Sequence, residues 1–308
     1  MELDPKFQAF LASPLALEPP LAILTGSMFR ELVRQFPAPV LNPPIHAVRD
    51  LEAQGAAGKL LVRLYRPSAA PNLPLVMFIH GGGFVICNVP MYDDFCKFLA
   101  NYSGCAVASV EYRLAPEHPF PAPLEDCYAA LVWLAAQGRE FGLDTTRLAL
   151  AGDSAGGNLA AATALLARDR QGPKVSYQAL FYPCLDPECS SESAVALASG
   201  YMLTRNVMLW FWKQYLQQPA DRSNPLATPP RAVLAGLPPA TVITAEFDPL
   251  RDEGEAYADR LRAAGIEVSA RRYLGVIHGF ASMPYLTPMA NRAIADVAAD
   301  LRGALAAG

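Results

Sequence analysis

Short apolar segments alternate with longer helical segments along most of this chain, and that alternation constrains the fold more than any other feature. The apolar segments lie at 60–65, 74–79, 105–110, 148–151, 177–181, 240–245 and 268–273. Helical patterns lie between most of them, for example at 124–137, 155–168 and 253–264. Short buried strands that alternate with helices indicate a mostly parallel sheet covered on both faces, so we expect an α/β fold. The arginines in the last apolar segment place it at an edge or end of the sheet.

Two regions depart from the alternation. The first ends near Pro44 and has a helical pattern interrupted by prolines. The second, the interval 185–237, contains many prolines and the aromatic run Trp210, Phe211 and Trp212. We expect the second region to be an insertion above the sheet, with the aromatic run in its core.

The composition excludes several classes of function. Of the 308 residues, 52% are hydrophobic and 18% are charged, which favours a folded chain over a disordered one. The net charge of -4 provides no basic surface, so we expect no nucleic-acid partner. The N-terminus is acidic and no apolar segment reaches about 18 residues. We therefore expect no secretion signal, no stable membrane insertion and a cytoplasmic location.

The six cysteines form no CxxC pair and have no zinc-ligand spacing. We expect no metal site and reduced thiols, as is usual in the cytoplasm. A pairing of Cys184 with Cys189 is the alternative.

The strongest chemical signal is the segment Gly152-Asp153-Ser154-Ala155-Gly156-Gly157, which joins an apolar run to an alanine- and leucine-rich helix. A serine between glycines at this spacing permits a sharp turn from strand to helix, which exposes the hydroxyl above the sheet. The helix N-terminus beneath it favours developing negative charge. This context predicts that Ser154 is a nucleophile rather than part of a simple glycine-rich turn.

A second glycine-rich segment, His80-Gly81-Gly82-Gly83-Phe84, follows the apolar run that ends at Ile79. Consecutive glycines let main-chain N–H groups approach a ligand without obstruction, and two such groups can bind the oxyanion of a tetrahedral intermediate. The N–H of Ala155 is the expected third donor.

A serine nucleophile needs a histidine base, which an acid must orient. His278 is the histidine that follows Ser154; His46, His80 and His118 precede it. The acid should lie between the two, just past the end of a strand. Asp248 and Glu246 both satisfy this after the run 240–245, with Asp252 as a weaker third candidate.

These motifs resemble those of the bacterial hormone-sensitive-lipase-type esterases (family IV carboxylesterases) of the α/β-hydrolase superfamily, over nearly all of 60–280. The glycine-rich segment resembles the family's HGGG loop, Glu111–Glu117 the segment after the next strand, and the Ser154 turn the nucleophile motif. Asp248–Asp252 resembles the acid motif and His278–Phe280 the histidine motif.

The resemblance implies the α/β-hydrolase fold, with a mostly parallel eight-stranded sheet and a helical cap. The core would comprise 46–184 and 236–308, and the cap 1–45 and 185–235. It also implies a catalytic triad of Ser154, His278 and Asp248, and oxyanion donors at Gly82, Gly83 and Ala155. His80 would shape the loop, and Glu111–Arg113 would brace it.

The implied function is hydrolysis of short- to medium-chain acyl esters through an acyl-enzyme, with no cofactor and a small-molecule ester as the partner. Phe84 and Tyr182 are expected in the acyl or alcohol pocket. The family often forms homodimers through a sheet edge, so a homodimer is an expectation that rests on the resemblance alone. Two alternatives remain open: an amidase or deacetylase acting on arylamides, and a non-catalytic ligand-binding protein of the same fold.

Overall fold

The computed structural model describes residues 2–13 and 16–306 of the chain. Within this part, eight strands form one sheet. The strands are β1 Ala47–Gly55, β2 Gly58–Arg66, β3 Leu73–Ile79, β4 Ala106–Val110, β5 Leu143–Asp153, β6 Tyr177–Phe181, β7 Ala240–Phe247 and β8 Val268–Ile277. The expected eight-stranded α/β architecture is confirmed.

The strand order is β1-β2-β4-β3-β5-β6-β7-β8. β2 runs antiparallel to both β1 and β4, and all the other pairs are parallel. The parallel strands β3 and β5 are buried along most of their length, because helices cover both faces. β8 lies at one edge, as its arginines predicted, and Arg271 pairs there with Asp300.

Helices surround the sheet and connect its strands. They are α1 Pro5–Leu11, α2 Gly26–Gln35, α3 Asp93–Ser103, α4 Ala122–Gln137, α5 Ala155–Asp169, α6 Glu192–Ala196, α7 Arg205–Tyr215, α8 Arg251–Ala263 and α9 Pro288–Ala304. The apolar side chains of α4, α5 and α8 belong to one buried cluster, and those of α3 and α9 belong to the other. The sheet therefore has a packed hydrophobic layer on each face.

The helices α2 and α7 pack against each other through aromatic rings. Phe29 of α2 stacks on Phe211 of α7 at 5.5 Å between ring centroids, and meets Trp210 edge-on at 5.8 Å. Trp212 is fully buried, so the aromatic run forms an apolar core in this region, as expected. Every strand of the described chain lies within 46–184 or 236–306. The division into core and cap stays a prediction.

All six cysteines lie within the described residues, and all are free thiols. The alternative pairing of Cys184 with Cys189 is therefore wrong. Among residues 2–13 and 16–306, no helix has the length and apolar character needed to cross a membrane.

Candidate active site

Ser154 occupies the sharp turn between β5 and α5. Its backbone has φ 53° and ψ -120°, a conformation that side-chain-bearing residues rarely adopt. The neighbouring glycines make the turn possible: a Cβ atom at Gly156 would lie 2.0 Å from the carbonyl oxygen of Ile79. The turn therefore depends on the glycine spacing recognised in the sequence, and it places the serine side chain at the carboxyl end of the parallel strands.

The three residues expected to form a triad lie in one hydrogen-bonded chain. Ser154 Oγ is 2.9 Å from His278 Nε2, and His278 Nδ1 is 2.8 Å from Asp248 Oδ2. A carboxylate only accepts hydrogen bonds, so Nδ1 carries the proton and Nε2 is left to accept the hydroxyl proton of Ser154. Asp248 is fully buried and also accepts the N–H of Leu250 at 2.8 Å, which fixes its orientation.

The other candidate acids make different contacts. Glu246 Oε2 accepts the N–H of Gly275 at 2.7 Å and so braces β8. Asp252 accepts the N–H of Ser193 at 2.7 Å and also pairs with Arg251. Asp248 is the one of the three whose carboxylate meets His278.

The oxyanion loop, residues 80–86, lies beside Ser154 and offers donors with free hydrogen-bonding capacity. The N–H of Gly81 is already engaged, because it donates to Asp153 Oδ1 at 2.7 Å. The N–H groups of Gly82, Gly83 and Ala155 donate to no other atom of the described chain. These three are the donors that the family resemblance implied, and their free state gives a physical reason to prefer them to Gly81.

His80 has no contact with the triad. Its ring is fully buried and stacks on Tyr112 at 4.3 Å, and burial lowers the pKa of His80 to about 4. Tyr112 in turn donates its hydroxyl to the carbonyl oxygen of His80 at 2.8 Å, so it braces the loop as expected. His46 and His118 are exposed on the surface.

Asp153 is a site residue that sequence reasoning missed. Its buried carboxylate accepts the Gly81 N–H through Oδ1 and the Tyr92 hydroxyl through Oδ2, the latter at 2.9 Å. Burial raises the pKa of Asp153 to about 6, although the two hydrogen bonds and nearby His278 oppose the shift. Its position next to Ser154 was the available signal, but the sequence does not reveal that the carboxylate is buried.

The two residues expected in the substrate pocket are fully buried. Phe84 stacks on Tyr215 at 3.9 Å between ring centroids. Tyr182 lies edge-on to His278 at 4.9 Å. Their contact with substrate stays a prediction. Among the described residues, no group of three or more His, Cys, Asp or Glu is arranged to hold a metal ion.

The fold and this constellation define an α/β hydrolase, and comparison with known proteins agrees. The sequence model of the alpha/beta hydrolase fold family matches residues 76–282, which is more than half of the chain. The chain therefore belongs to this family, and the resemblance to its hormone-sensitive-lipase-type esterases is confirmed.

Individual relatives cover most of the chain. The "Carboxylic ester hydrolase LipN" of Mycobacterium tuberculosis is 44% identical over 251 residues, which are 79% of this chain and 66% of the relative. The "Arylesterase" of Saccharolobus solfataricus is 37% identical, over 92% of this chain and 94% of that protein. Among solved structures, a hyperthermophilic esterase from the archaeon Pyrobaculum calidifontis superposes with a TM-score of 0.93 at 43% identity, and covers 99% of this chain and all of that chain.

Proposed function

We propose that this protein is a carboxylesterase that hydrolyses short- to medium-chain acyl esters, with Ser154 as nucleophile, His278 as base and Asp248 as the orienting acid. The observation that carries the proposal is the hydrogen-bonded chain from Ser154 through His278 to Asp248, together with three main-chain N–H groups that have no partner among the described residues. The names of the relatives support ester hydrolysis as the reaction.

The proposed reaction is acyl transfer to Ser154 and then to water. His278 accepts the hydroxyl proton as Ser154 Oγ attacks the ester carbonyl carbon, and the carbonyl oxygen becomes an oxyanion. The N–H groups of Gly82, Gly83 and Ala155 bind that oxyanion. His278 then donates the proton to the leaving alkoxide, and an ester bond to Ser154 remains. Water, deprotonated by His278, cleaves this acyl-enzyme by the same steps and regenerates the serine.

The preference for shorter acyl chains is supported by the enclosure of the site. Ser154 and His278 are each only 7% exposed. The ring of Phe211 covers the backbone of Gly83 beside them. A nucleophile this enclosed favours a compact acyl group over a long chain that must leave the site along a groove.

The proposal is tested with p-nitrophenyl esters of increasing acyl length, together with a matched anilide. We expect turnover to be highest for short and medium acyl groups and much slower for the anilide. Ser154→Ala should lower kcat by at least about 10⁴-fold, since the triad acts as one unit. Its circular dichroism and melting temperature should remain close to those of the wild type.

Three results would contradict the proposal. Undiminished turnover in Ser154→Ala would show that Ser154 is not the nucleophile. A higher rate on the anilide than on the ester would favour the amidase alternative. Absence of ester turnover in the wild type would favour a ligand-binding role. A fluorophosphonate probe provides an independent check: it should label Ser154, and His278→Ala should lose this labelling.

A further inference from the structure

The helix α2 packs against the oxyanion loop, although it carries none of the catalytic motifs. At its first residue, Gly26, a Cβ atom would lie 2.6 Å from Pro116 Cδ and 3.3 Å from Val85 Cγ1. One turn further along, Arg30 reaches the same loop with its guanidinium group. The helix therefore touches the loop at two points.

Arg30 binds three acceptors at once. Its Nη1 donates to the carbonyl oxygen of Val85 at 3.0 Å and to that of Ala115 at 3.4 Å. Its Nη2 pairs with Glu117 Oε1 at 2.5 Å. The planar fork of a guanidinium group can satisfy all three acceptors in a fixed geometry, which a lysine ammonium group cannot reproduce.

Two peptide groups connect Arg30 to the oxyanion donor of Gly83. The carbonyl that Arg30 binds, that of Val85, belongs to the same planar peptide group as the N–H of Ile86. This N–H donates to the carbonyl oxygen of Gly82 at 2.9 Å. The carbonyl of Gly82, in turn, shares a peptide group with the N–H of Gly83. A continuous chain of hydrogen bonds thus leads from a positive charge to Gly83.

Such a chain has two effects on Gly83. It fixes the plane of the Gly82–Gly83 peptide, and therefore the direction of its N–H. It also polarises each peptide group in turn, because hydrogen bonds in series strengthen one another in a low-dielectric interior. The positive charge of Arg30 lies at the donor end of this chain of hydrogen bonds. At that end the charge makes the Gly83 N–H a stronger donor.

The opposite side of Gly83 is closed by the aromatic core. Gly83 has φ 58°, and a Cβ atom there would lie 2.3 Å from the ring of Phe211. Phe29, the residue before Arg30, stacks on that same ring. The helix α2 therefore limits the position of Gly83 both through hydrogen bonds and through packing.

We propose that Arg30 is a positioning residue for ester hydrolysis, which orients and polarises the Gly83 N–H through the Val85–Ile86 and Gly82–Gly83 peptide groups. This inference rests on the proposed function, since it assigns to Arg30 a role in stabilising the oxyanion. Arg30 itself does not touch the reacting atoms.

The test compares Arg30→Ala, Arg30→Lys and the control Arg34→Ala. Arg34 lies on the same helix and pairs with Glu31, with 66% of its side chain exposed. Complete loss of an oxyanion donor costs about 10²–10³-fold in turnover, so misplacing one should lower kcat by about tenfold in Arg30→Ala. Arg30→Lys keeps the positive charge and can still donate to the Val85 carbonyl oxygen, so it should recover part of the loss. Arg34→Ala should match the wild type, and KM should change little throughout.

Two further measurements separate positioning from a general loss of stability. A trifluoromethyl ketone, which forms an oxyanion on the serine, should bind Arg30→Ala more weakly by the same factor as the loss in kcat/KM. Hydrogen exchange measured by mass spectrometry should become faster in residues 80–87 and remain unchanged in α5. Both are measured well below the melting temperature of each variant.

If Arg30→Ala keeps the kcat and the ketone affinity of the wild type, Arg30 does not have the proposed role. The same conclusion follows if Arg34→Ala loses as much kcat as Arg30→Ala. Neither result affects the proposal of ester hydrolysis. If the wild type fails to hydrolyse esters, the proposed function fails instead. In that case hydrogen exchange alone tests whether Arg30 holds the oxyanion loop in place. Unchanged exchange in residues 80–87 of Arg30→Ala would show that it does not.

Discussion

At the scale of single residues, the candidate site depends on which polar groups have free hydrogen-bonding capacity. The N–H of Gly81 donates to Asp153, whereas those of Gly82, Gly83 and Ala155 have no partner in the described chain. The carboxylate of Asp153 thus holds the first glycine of this loop, and the N–H groups of the next two are the ones we propose for binding the oxyanion. Because Asp153 is buried and contacts this loop, its protonation state links pH to the loop's geometry.

The raised pKa of Asp153 predicts a pH-dependent stability. Between about pH 4 and 6 the folded protein retains a proton that the unfolded chain has lost. Stability from this group is therefore fully present below pH 4 and is lost as the pH rises through 6. Asp153→Asn keeps an acceptor for Gly81 and a polar partner for Tyr92 but cannot ionise. Relative to this variant, the wild type should lose up to about 3 kcal/mol between pH 4 and pH 8.

Urea unfolding of the wild type and Asp153→Asn across this range measures the difference, since the other titrating groups are common to both proteins. Parallel stability profiles would show that Asp153 titrates normally in the folded protein.

At the scale of elements, the connection from β5 to α5 is the most constrained part of the site. The helix begins directly after Ser154, and its second residue, Gly156, lies against the carbonyl oxygens of Ile79 and His80. Close approach of α5 to β3 therefore depends on the absence of a side chain at that position. Asn158, one turn into α5, donates to the carbonyl oxygens of Cys184 and Ala227 and ties the helix to the segments above the sheet.

Two Gly→Ala substitutions in helices should have opposite effects. At Gly156 the added methyl would lie 2.0 Å from Ile79 O, so Gly156→Ala must displace α5 and should cost at least about 2–3 kcal/mol and most of the activity. At Gly303, near the end of α9, no atom of residues 2–13 and 16–306 outside the local helix backbone lies within 4 Å of the new methyl. Gly303→Ala should leave activity unchanged and raise stability by up to about 1 kcal/mol, because alanine favours the helix.

Chemical denaturation and ester turnover of both variants check this pair. Equal effects at the two positions would contradict the close packing of α5 on β3.

At the scale of the whole molecule, the sheet brings together residues that are far apart in sequence. Ser154, Asp248 and His278 follow β5, β7 and β8, which run parallel and end at the same edge of the sheet. Ser154 and His278 are 124 residues apart, yet their side chains lie within hydrogen-bond distance. Two apolar layers hold this arrangement without any covalent cross-link between cysteines.

The free state of all six cysteines, which lie within the described residues, leads to a prediction for the intact protein. In urea without reductant, a thiol reagent should titrate all six. In the native protein only Cys87 is partly exposed, and burial raises its pKa to about 12, so it should react slowly. Dithiothreitol should leave the melting temperature unchanged. Fewer than six thiols in the unfolded protein would reveal a disulfide.

Much of this architecture could be predicted from the sequence because it is local. The turn at Ser154 needs glycines at fixed spacing, and buried parallel strands need continuous apolar runs, so both are visible in a few consecutive residues. The strand β1 gave a weaker signal, because it lies at an edge and most of its first half is exposed. The choice between Asp248 and Glu246 stayed open on the residues alone, since both follow the apolar run 240–245 in the sequence.

The sequence by itself determined the fold class, the nucleophile turn and the order of the candidate triad. Only the tertiary structure decided which N–H groups of the oxyanion loop are free, how Asp153 is buried, and that Arg30 reaches this loop from a helix more than fifty residues away. The physical reason is that burial and hydrogen-bond partners are properties of non-local packing. A residue type and its neighbours in sequence do not determine what lies against its side chain once the sheet and its helices have assembled.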